Sequence, residues 1–546
     1  MGLAARIAGA AAVLALLAAS PAQATDLVRP PSLDTPPEGY RLTGNQVIAI
    51  ADRSPKAIEE KRKHPGAYPN VFERSGTSSW QVGYFTRDNP SKEVSQVYVS
   101  DDTGKITEAW TGPQVAWTMA RGYPGAFGRK VNSPWVWITL TVLFIAPFVD
   151  PRRPFRIRHL DLAVLMAFGI SVAFFNDANI DASVPIVYPL LAYLLARALW
   201  IGLRRNRRPD PLRLLVPASW MLVGLLFLVG FRIGLNVVNS NVIDVGYAGV
   251  IGADRLAHGE QLWGNFPSDN EHGDTYGPVN YAAYVPFELA FPWHGRWNDL
   301  PAAHAAAIAF DLLCLGLLFL IGRRMRGPTL GIALAYAWAA NPFTLYAMNC
   351  NVNDALVGAL VLAAILAVGS PMRRGALIAL AGMAKFAPLG LAPLFATETR
   401  GAKRYAIGFG LVLVPCAVIV LAYGGVHEFY DRTIAFQGSR GSPFSIWGLY
   451  GWTVPQAIVQ GAAVALAVAV AFLPRRRDLV GLAALSTAVL IALQLGITHW
   501  FYLYLVWFLG PLSIAMFGDA EPEGRREPAS YEEELGRLPA PAVAWR

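Results

Sequence analysis

Apolar runs of about 20 residues recur along this chain, and they restrict its fold more than any other feature. Each run is long enough to cross a hydrocarbon core of ~30 Å as an α-helix. Of the 546 residues, 54% are hydrophobic and only 15% are charged, well below the charged share of a typical soluble domain. We therefore expect a polytopic α-helical membrane protein.

The formal charge of +8 follows membrane topology and does not indicate a nucleic-acid partner. Arg and Lys concentrate in short connections between apolar runs, which is typical of cytoplasmic loops. The clusters are Arg152, Arg153, Arg156 and Arg158; Arg204, Arg205, Arg207 and Arg208; Arg323, Arg324 and Arg326; Arg373 and Arg374; Lys403 and Arg404; and Arg475, Arg476 and Arg477. This pattern predicts a bacterial-type plasma membrane protein with an outer N-terminal domain and a cytoplasmic C-terminus.

The first 24 residues are predicted to be a secretory signal. Arg6 precedes an apolar stretch, and an A-x-A site follows at residues 22–24. We expect cleavage after Ala24. An uncleaved first anchor is the alternative, and either way the next segment lies outside the cell.

Residues 25–131 are predicted to form a small exported α+β domain. A helical stretch covers residues 46–63, and alternating apolar residues then indicate strands at 78–86, 94–100 and 105–110. The order of helix, strand and hairpin resembles a PepSY-type domain, a class associated with regulation or binding.

Residues 132–517 are predicted to be the membrane domain, with long outer loops at 235–300 and 425–453. The arginine clusters set the direction of each span. The predicted spans are 134–150, 159–175, 184–202, 214–234, 302–322, 328–347, 354–370, 405–424, 454–474, 479–497 and 499–517.

Three further segments do not fit a simple span. Residues 278–293 are interpreted as an interfacial helix. Basic residues flank 375–398 on both sides, and Lys385 and Pro388 interrupt its middle, so we expect a re-entrant hairpin of two half-helices. The polar tail, residues 518–546, is predicted to be cytoplasmic and disordered.

The first outer loop carries an unusual set of carboxylates and aromatic side chains. At about 100° per residue, Asp244, Tyr247, Asp254 and His258 share an arc of roughly 80° on a predicted helix. A carboxylate at the membrane surface suits a general base that takes a proton from an acceptor hydroxyl. A surface helix whose polar face simply meets water is the alternative.

Asp311 and Lys385 lie in the middle of apolar segments. A charge at that depth costs about 2.5–3.5 kcal/mol to insert, so it usually has a partner or a function. For Asp311 we expect a structural pairing. For Lys385 structure and function both remain open.

The second outer loop combines basic side chains with aromatic ones. The guanidinium groups of Arg432 and Arg440 can each donate two parallel hydrogen bonds to a phosphate. Gln437 and Trp447 lie in the same loop, and His499 stands at the start of the last span. An aromatic belt at the interface with an anchoring Arg is the alternative.

Four segments together resemble the GT-C membrane glycosyltransferases, and most closely glycosyltransferase family 87. They are the loop that opens with Asp244, D-T-Y-G-P-V-N-Y at residues 274–281, N-x-N-D at 351–354, and G-M-A-K-F-A-P at 382–388. The second segment only approximates the family's Y-x-P-P-x-x-Y, since Gly277 precedes a single proline. The resemblance covers residues 214–517.

The resemblance implies transfer of a sugar, mannose in that family, from a polyprenyl-phosphate donor to an envelope glycan, lipid or protein. It assigns the role of catalytic base to Asp244. A direct displacement of this kind inverts the anomeric centre of the sugar. No nucleotide-binding motif is needed, because the donor is already lipid-linked. The side chains expected to bind substrate are Tyr247, Asp254, His258, Asp274, Tyr276, Tyr281, Asn353, Asp354, Lys385, Arg432, Gln437, Arg440, Trp447 and His499.

Two other functions are compatible with a many-helix membrane protein. A transporter or flippase for a lipid-linked sugar would use Asp311 and Lys385 as a pathway, although no duplicated halves are visible. A sensor would bind a ligand through its exported domain, but no output module follows. No cofactor is expected: Asp244 and Asp254 could hold a divalent ion, but no ligand spacing demands one. The three cysteines form no disulfide framework.

Overall fold

The computed structural model describes residues 27–74, 77–87, 93–116, 127–204, 212–297 and 299–519. The predicted signal, nearly all of the polar tail and part of the second arginine cluster lie outside these residues. The described chain forms a small sheet domain followed by a large helical domain. This confirms the predicted class of an α-helical membrane protein with a small α+β domain.

The N-terminal domain is a five-stranded antiparallel sheet against which two helices pack. The strands neighbour one another in sequence order. Its elements are β1 (Leu27–Val28), α1 (Gly44–Ala51), α2 (Pro55–Lys63), β2 (Tyr68–Arg74), β3 (Ser79–Phe85), β4 (Glu93–Ser100), β5 (Ile106–Thr111) and α3 (Pro113–Ala116). The three predicted strands are confirmed as β3, β4 and β5, whereas the single predicted helix is two, because Pro55 starts a new one.

Asp101 joins the turn after β4 to the start of the domain. Its carboxylate accepts hydrogen bonds from the Trp80 indole at 2.8 Å and from the backbone N–H groups of Arg41 at 2.7 Å and Leu42 at 3.0 Å. Because Asp101 is buried, each bond satisfies a donor that would otherwise be desolvated without a partner. The turn at residues 101–104 thus holds the sheet to the segment that leads into α1.

The helical domain follows a chain of helices joined mostly by short connections. They are α4 (Pro134–Ile145), α5 (Ile157–Asn176), α6 (Ile180–Leu203), α7 (Ala218–Val238), α8 (Asp244–His258), α9 (Pro278–Ala290), α10 (Pro301–Arg326), α11 (Pro328–Ala340), α12 (Pro342–Asn349), α13 (Asp354–Leu366), α14 (Pro371–Ala384), α15 (Ala392–Ala396), α16 (Ala402–Ala422), α17 (Gly425–Tyr430), α18 (Phe436–Ser439), α19 (Ile446–Tyr450), α20 (Thr453–Phe472), α21 (Leu479–Leu495) and α22 (Val506–Phe517).

Six of these helices, α5, α6, α7, α10, α16 and α20, are long and apolar enough to cross a membrane. Shorter apolar helices occupy the other predicted spans. The predicted span 328–347, for example, is split into α11 and α12. Asn341 caps the second helix through the backbone N–H of Phe343 at 2.9 Å, and Pro342 follows at its first position.

Residues 375–398 form a broken helix, as the charge pattern predicts. Helix α14 ends at Ala384, Lys385 is extended, and a 3-10 turn (Ala387–Leu391) leads into α15. The chain returns next to where it began, since Arg374 donates to the carbonyl of Phe395 at 2.9 Å. The two half-helices are confirmed, and the break places Lys385 at the tip.

The intramembrane charge Asp311 has a structural partner. Arg232 on α7 contacts its carboxylate twice, at 2.5 Å and 3.1 Å, and the Trp338 indole donates to it at 2.8 Å. Both charged side chains are buried. The expected pairing is confirmed, and the carboxylate is neutralised where it stands rather than offered to a substrate pathway.

Helix α8 lies inside the protein rather than on its surface. Its residues from Gly246 to Ala253 are all buried. Side chains added at Gly249 and Gly252 would collide with the rings of Tyr284 and Tyr281, so these glycines let α9 approach closely. The middle of α8 is therefore not a surface helix, whereas the His258 side chain near its end is 64% exposed.

Candidate functional site

Asp244 is the first residue of α8, and several contacts fix its backbone. The N–H of Ile243 donates to the carbonyl of Cys350 at 3.2 Å, and the Asn270 side chain donates to the carbonyl of Asp244 at 3.0 Å. A Cβ at Gly246 would collide with the backbone of the connection between α12 and α13. The start of the helix is thus held against the segment that leads to Asp354.

Asp244 keeps a large accessible surface, yet burial raises the pKa of its carboxyl. We interpret this combination as a recess, in which protein surrounds the carboxyl on several sides but leaves it open to a ligand. The positive charges of Arg440 and Lys385 oppose this rise in pKa, whereas the negative charge of Asp354 adds to it. We call these four residues and Tyr276 the Asp244 recess.

Lys385 and Asp354 form a buried ion pair in the recess. The ammonium lies 2.5 Å from Asp354 Oδ1, which also accepts from the Trp507 indole at 2.7 Å. Three rings surround the same ammonium, those of Tyr276 and Tyr504 at 5.4 Å and Trp507 at 5.3 Å. These distances are within the range of cation–π attraction, so the lysine is held in place by charge and by aromatic faces.

Arg440 in the second outer loop and His499, which follows α21, lie near the recess. His499 lies between α21 and the last helical segment, and its ring contacts Ser442 Oγ at 2.9 Å. The positive charges of Arg440 and Lys385 act on this buried ring and disfavour a further positive charge on it. A neutral imidazole has one N–H donor. His499 would therefore offer a leaving phosphate a hydrogen bond and not a charge.

The turn before α9 places Tyr276 beside Lys385. Tyr281 holds this turn, because its hydroxyl donates to the carbonyl of Gly273 at 2.9 Å and accepts from the N–H of Tyr276 at 3.2 Å. A Cβ at Gly277 would collide with the carbonyl of Met383, two residues before the hairpin tip at Lys385. Gly277, which departs from the family pattern, thus lets the turn pack directly on the hairpin.

We expect Tyr281→Phe to destabilise the protein by about 1–3 kcal/mol, because two buried backbone groups lose their partner. Tyr284→Phe is the matched control. It lies one turn further along α9, it is equally buried, and its hydroxyl has no hydrogen-bond partner among the described residues. Thermal unfolding of both variants in the same nanodiscs tests this. Equal melting temperatures would contradict the role given to the Tyr281 hydroxyl.

Three predicted site residues on α8 do not join Asp244. Asp254 and His258 pair with each other at 3.2 Å, and ten residues of helix place Asp254 about 15 Å from Asp244 along the axis. Tyr247 is buried, stacks on Trp297 at 4.8 Å and is not directed into the recess by any observed contact. Helical periodicity predicted that these residues share one face of α8, but they lie at different positions along the helix axis.

Another set of predicted residues joins the two outer loops. The carboxylate of Asp274 accepts from the N–H of Gly264 at 2.7 Å and lies 3.7 Å from Arg432, which also contacts Glu428 at 2.9 Å. Gln437 donates to Thr275 Oγ1 at 2.7 Å. These contacts link the turn at 274–275 to the second outer loop.

Trp447 and Asn353 also have contacts within the protein. The Trp447 indole donates to the carbonyl of Leu495 at 2.8 Å, and its ring meets Tyr188 edge-on at 5.9 Å. Asn353 donates to Asn280 Oδ1 at 2.7 Å, which ties the start of α13 to α9. Asn353 therefore supports the recess next to Asp354, whereas Trp447 packs between α6 and the end of α21.

The described residues contain no group of three His, Cys, Asp or Glu side chains arranged to hold a metal ion. A single ion cannot bridge Asp244 and Asp254, because the helix separates them by about 15 Å. Cys314, Cys350 and Cys416 are free and buried.

Residues 275–496 match the sequence model of Glycosyltransferase family 87. The match begins after Asp244, includes Asn353, Lys385 and Arg440, and ends just before His499. A search of the curated proteins finds no matching relative. The matched segment confirms the resemblance to glycosyltransferase family 87 and supports a membrane glycosyltransferase activity for this chain.

Proposed function

We propose that this protein transfers a sugar, mannose in the first instance, from a polyprenyl-phosphate donor to an acceptor in the cell envelope. The observation that carries the proposal is the position of Asp244, which is desolvated, accessible and within the electrostatic influence of Arg440 and Lys385. A base and cations at one recess are what a displacement with an anionic leaving group requires.

The proposed reaction is a single displacement at C1 of the sugar. The acceptor hydroxyl gives its proton to Asp244 while its oxygen forms a bond to C1. The bond from C1 to the phosphate oxygen breaks, and its electron pair leaves with the polyprenyl phosphate. Arg440 would stabilise the negative charge that develops there, with a hydrogen bond from His499. Attack opposite the leaving group inverts the anomeric centre.

The role of Lys385 in this scheme is to fix the electrostatics of the recess. It already neutralises Asp354, and its charge favours the ionised form of Asp244. Of the two carboxylates, Asp354 is the less available to a substrate, because one of its oxygens already accepts from both Lys385 and Trp507. Asp244 is therefore assigned as the proton acceptor.

The proposal places the recess on the outer face of the membrane. The support is the distribution of basic residues, since Arg323, Arg324, Arg326 and the pairs near Arg374 and Arg404 lie at the opposite ends of their helices from the recess loops. The sheet domain then lies outside the cell, and its likeness to PepSY-type domains makes regulation or ligand binding its proposed role.

Reconstitution tests the donor and the reaction together. Full-length protein in liposomes would receive radiolabelled polyprenyl-phosphate mannose or, in parallel, a nucleotide-linked mannose, with envelope lipid extract as acceptor. We expect a labelled glycosidic product only with the lipid-linked donor. Movement of the labelled lipid across the bilayer without such a product would indicate the transporter instead.

The value of kcat/KM should fall on the acidic side of its pH profile, and this acidic limb should lie at a higher pH than the usual pKa range of a carboxyl group. Asp244 must be ionised to act as a base, and burial raises its pKa, so rate is lost as the pH falls through that raised value. Arg440→Gln removes a cation that lowers the pKa, and we expect it to move the limb to higher pH.

Arg255→Gln is the control for this pH shift. Arg255 lies on the same helix but near its other end, where it contacts Glu260 at 3.2 Å. The acidic limb of this variant should coincide with that of the wild type. A limb that moves equally in both variants, or in neither, would remove Asp244 as the titrating group.

A further inference from the structure

A groove of about 890 Å³ opens between α4 and α5, away from the Asp244 recess. Its walls are apolar and come from the bodies of the two helices, including Trp137, Ile138, Met166, Ile170 and Ala173. Ile138 and Ile170 are strongly exposed, so the groove lies on a surface that faces lipid in a membrane. Gly169 lets the Trp137 indole lie directly against α5, because a Cβ there would collide with the indole nitrogen.

One end of the groove is polar and charged. This rim lies where α4 begins and α5 ends, beside the last turn of α7, and it consists of Arg129, Lys130, Asn132, Asn176, Asp177 and Asn239. The rim therefore stands at the boundary between an apolar wall and water. An amphipathic molecule with a polar head and a hydrocarbon tail matches this division.

The rim is held in a defined shape by its own hydrogen bonds. Asn132 and Asn176 exchange two bonds of 2.9 Å between the ends of α4 and α5. Asn239 accepts from the backbone N–H of Lys130 at 2.9 Å. Arg129 has a φ of 57°, a left-handed conformation that a residue with a side chain adopts only when its surroundings impose it.

We propose that this groove binds one anionic glycerophospholipid with a hydroxylated headgroup, such as phosphatidylglycerol. The rim carries two positive charges, Arg129 and Lys130, and one negative charge, Asp177, and its net charge of +1 complements one phosphate diester. Asp177 and the rim amides supply acceptors for headgroup hydroxyls. The groove volume is that of a small-molecule pocket, enough for the headgroup region and part of one acyl chain.

This site is independent of the proposed sugar transfer. None of its residues lies in the segment that matches glycosyltransferase family 87 or in the Asp244 recess. The sheet domain ends close to the rim, since Gln114 donates to the carbonyl of Ala178, next to Asp177, at 3.0 Å. A lipid headgroup bound here would lie at the junction of the sheet domain and the membrane helices.

Native mass spectrometry of the full chain released from nanodiscs tests the proposal. The discs would contain equal amounts of phosphatidylglycerol and phosphatidylethanolamine. We expect the wild type to retain one phosphatidylglycerol. Arg129→Asn with Lys130→Gln should retain it about tenfold less, because charged hydrogen bonds are lost. Asparagine is chosen at position 129 because it tolerates the left-handed backbone.

Two further variants distinguish the contribution of the lipid headgroup to retention from that of the acyl chain and from that of general surface charge. Ala173→Leu fills the exposed wall while leaving the rim intact, and it should also reduce retention. Lys403→Gln with Arg404→Gln removes two exposed cations at the start of α16 and should have no effect. Equal retention of both lipids by the wild type would overturn the proposal. So would a loss of phosphatidylglycerol in the Lys403→Gln, Arg404→Gln variant as large as that in the Arg129→Asn, Lys130→Gln variant.

Discussion

Asp244→Asn is expected to reduce the rate of sugar transfer by about 10²–10⁴-fold, the usual contribution of a positioned acid or base. Asparagine has nearly the same shape but cannot accept the proton of the acceptor hydroxyl. The contacts that fix this position are made by the backbone of Ile243 and Asp244, so they remain in the variant. Product formation from radiolabelled polyprenyl-phosphate mannose, followed in liposomes at saturating donor, measures the effect.

Asp254→Asn is the matched control, because it makes the same chemical change on the same helix. Asp254 lies about 15 Å further along α8 and pairs with His258 at 3.2 Å. We expect this variant to keep most of its activity. An Asp244→Asn protein that melts like the wild type and transfers sugar at the wild-type rate would exclude Asp244 as the base.

The membrane architecture could be predicted largely because charge and length report it directly. Basic residues on both sides of 375–398, with Lys385 and Pro388 between them, required a segment that returns to its starting side, and the broken helix has that form. Helix ends were less predictable. The break before Pro342 divides an apolar run that is long enough to be predicted as one span.

The candidate site could be predicted only in part, because periodicity gives the angle of a residue on a helix and not its neighbours in space. Asp244 and Lys385 were both selected from the sequence, and only the family resemblance, not spacing or periodicity, placed them in one site. Tyr504 and Trp507, which surround the lysine, lie in an apolar run where aromatic residues are common. Arg232 was a missed signal, since a lone arginine in an apolar run needs a partner such as Asp311.

Lys385→Met is expected to destabilise the protein by about 3–5 kcal/mol, because it leaves the carboxylate of Asp354 buried without a counter-charge. Methionine keeps the length of the side chain and its packing among Tyr276, Tyr504 and Trp507, so the change is mainly one of charge. Unfolding by denaturant in mixed micelles measures the loss. We expect sugar transfer to fall as well, since the cation also favours the ionised form of Asp244.

A double-mutant cycle separates the lost ion pair from any lost packing. Asp354→Asn removes the negative charge but leaves an oxygen that can accept from the Trp507 indole. When it is combined with Lys385→Met, no buried charge remains unpaired, so the double variant should be more stable than Lys385→Met alone. If Lys385→Met alone is too unstable to purify, recovery of the folded double variant shows the same order of stabilities. If the losses of unfolding free energy in the two single variants simply add in the double variant, the two side chains act independently. The ion pair would then not be what holds the hairpin tip against α13.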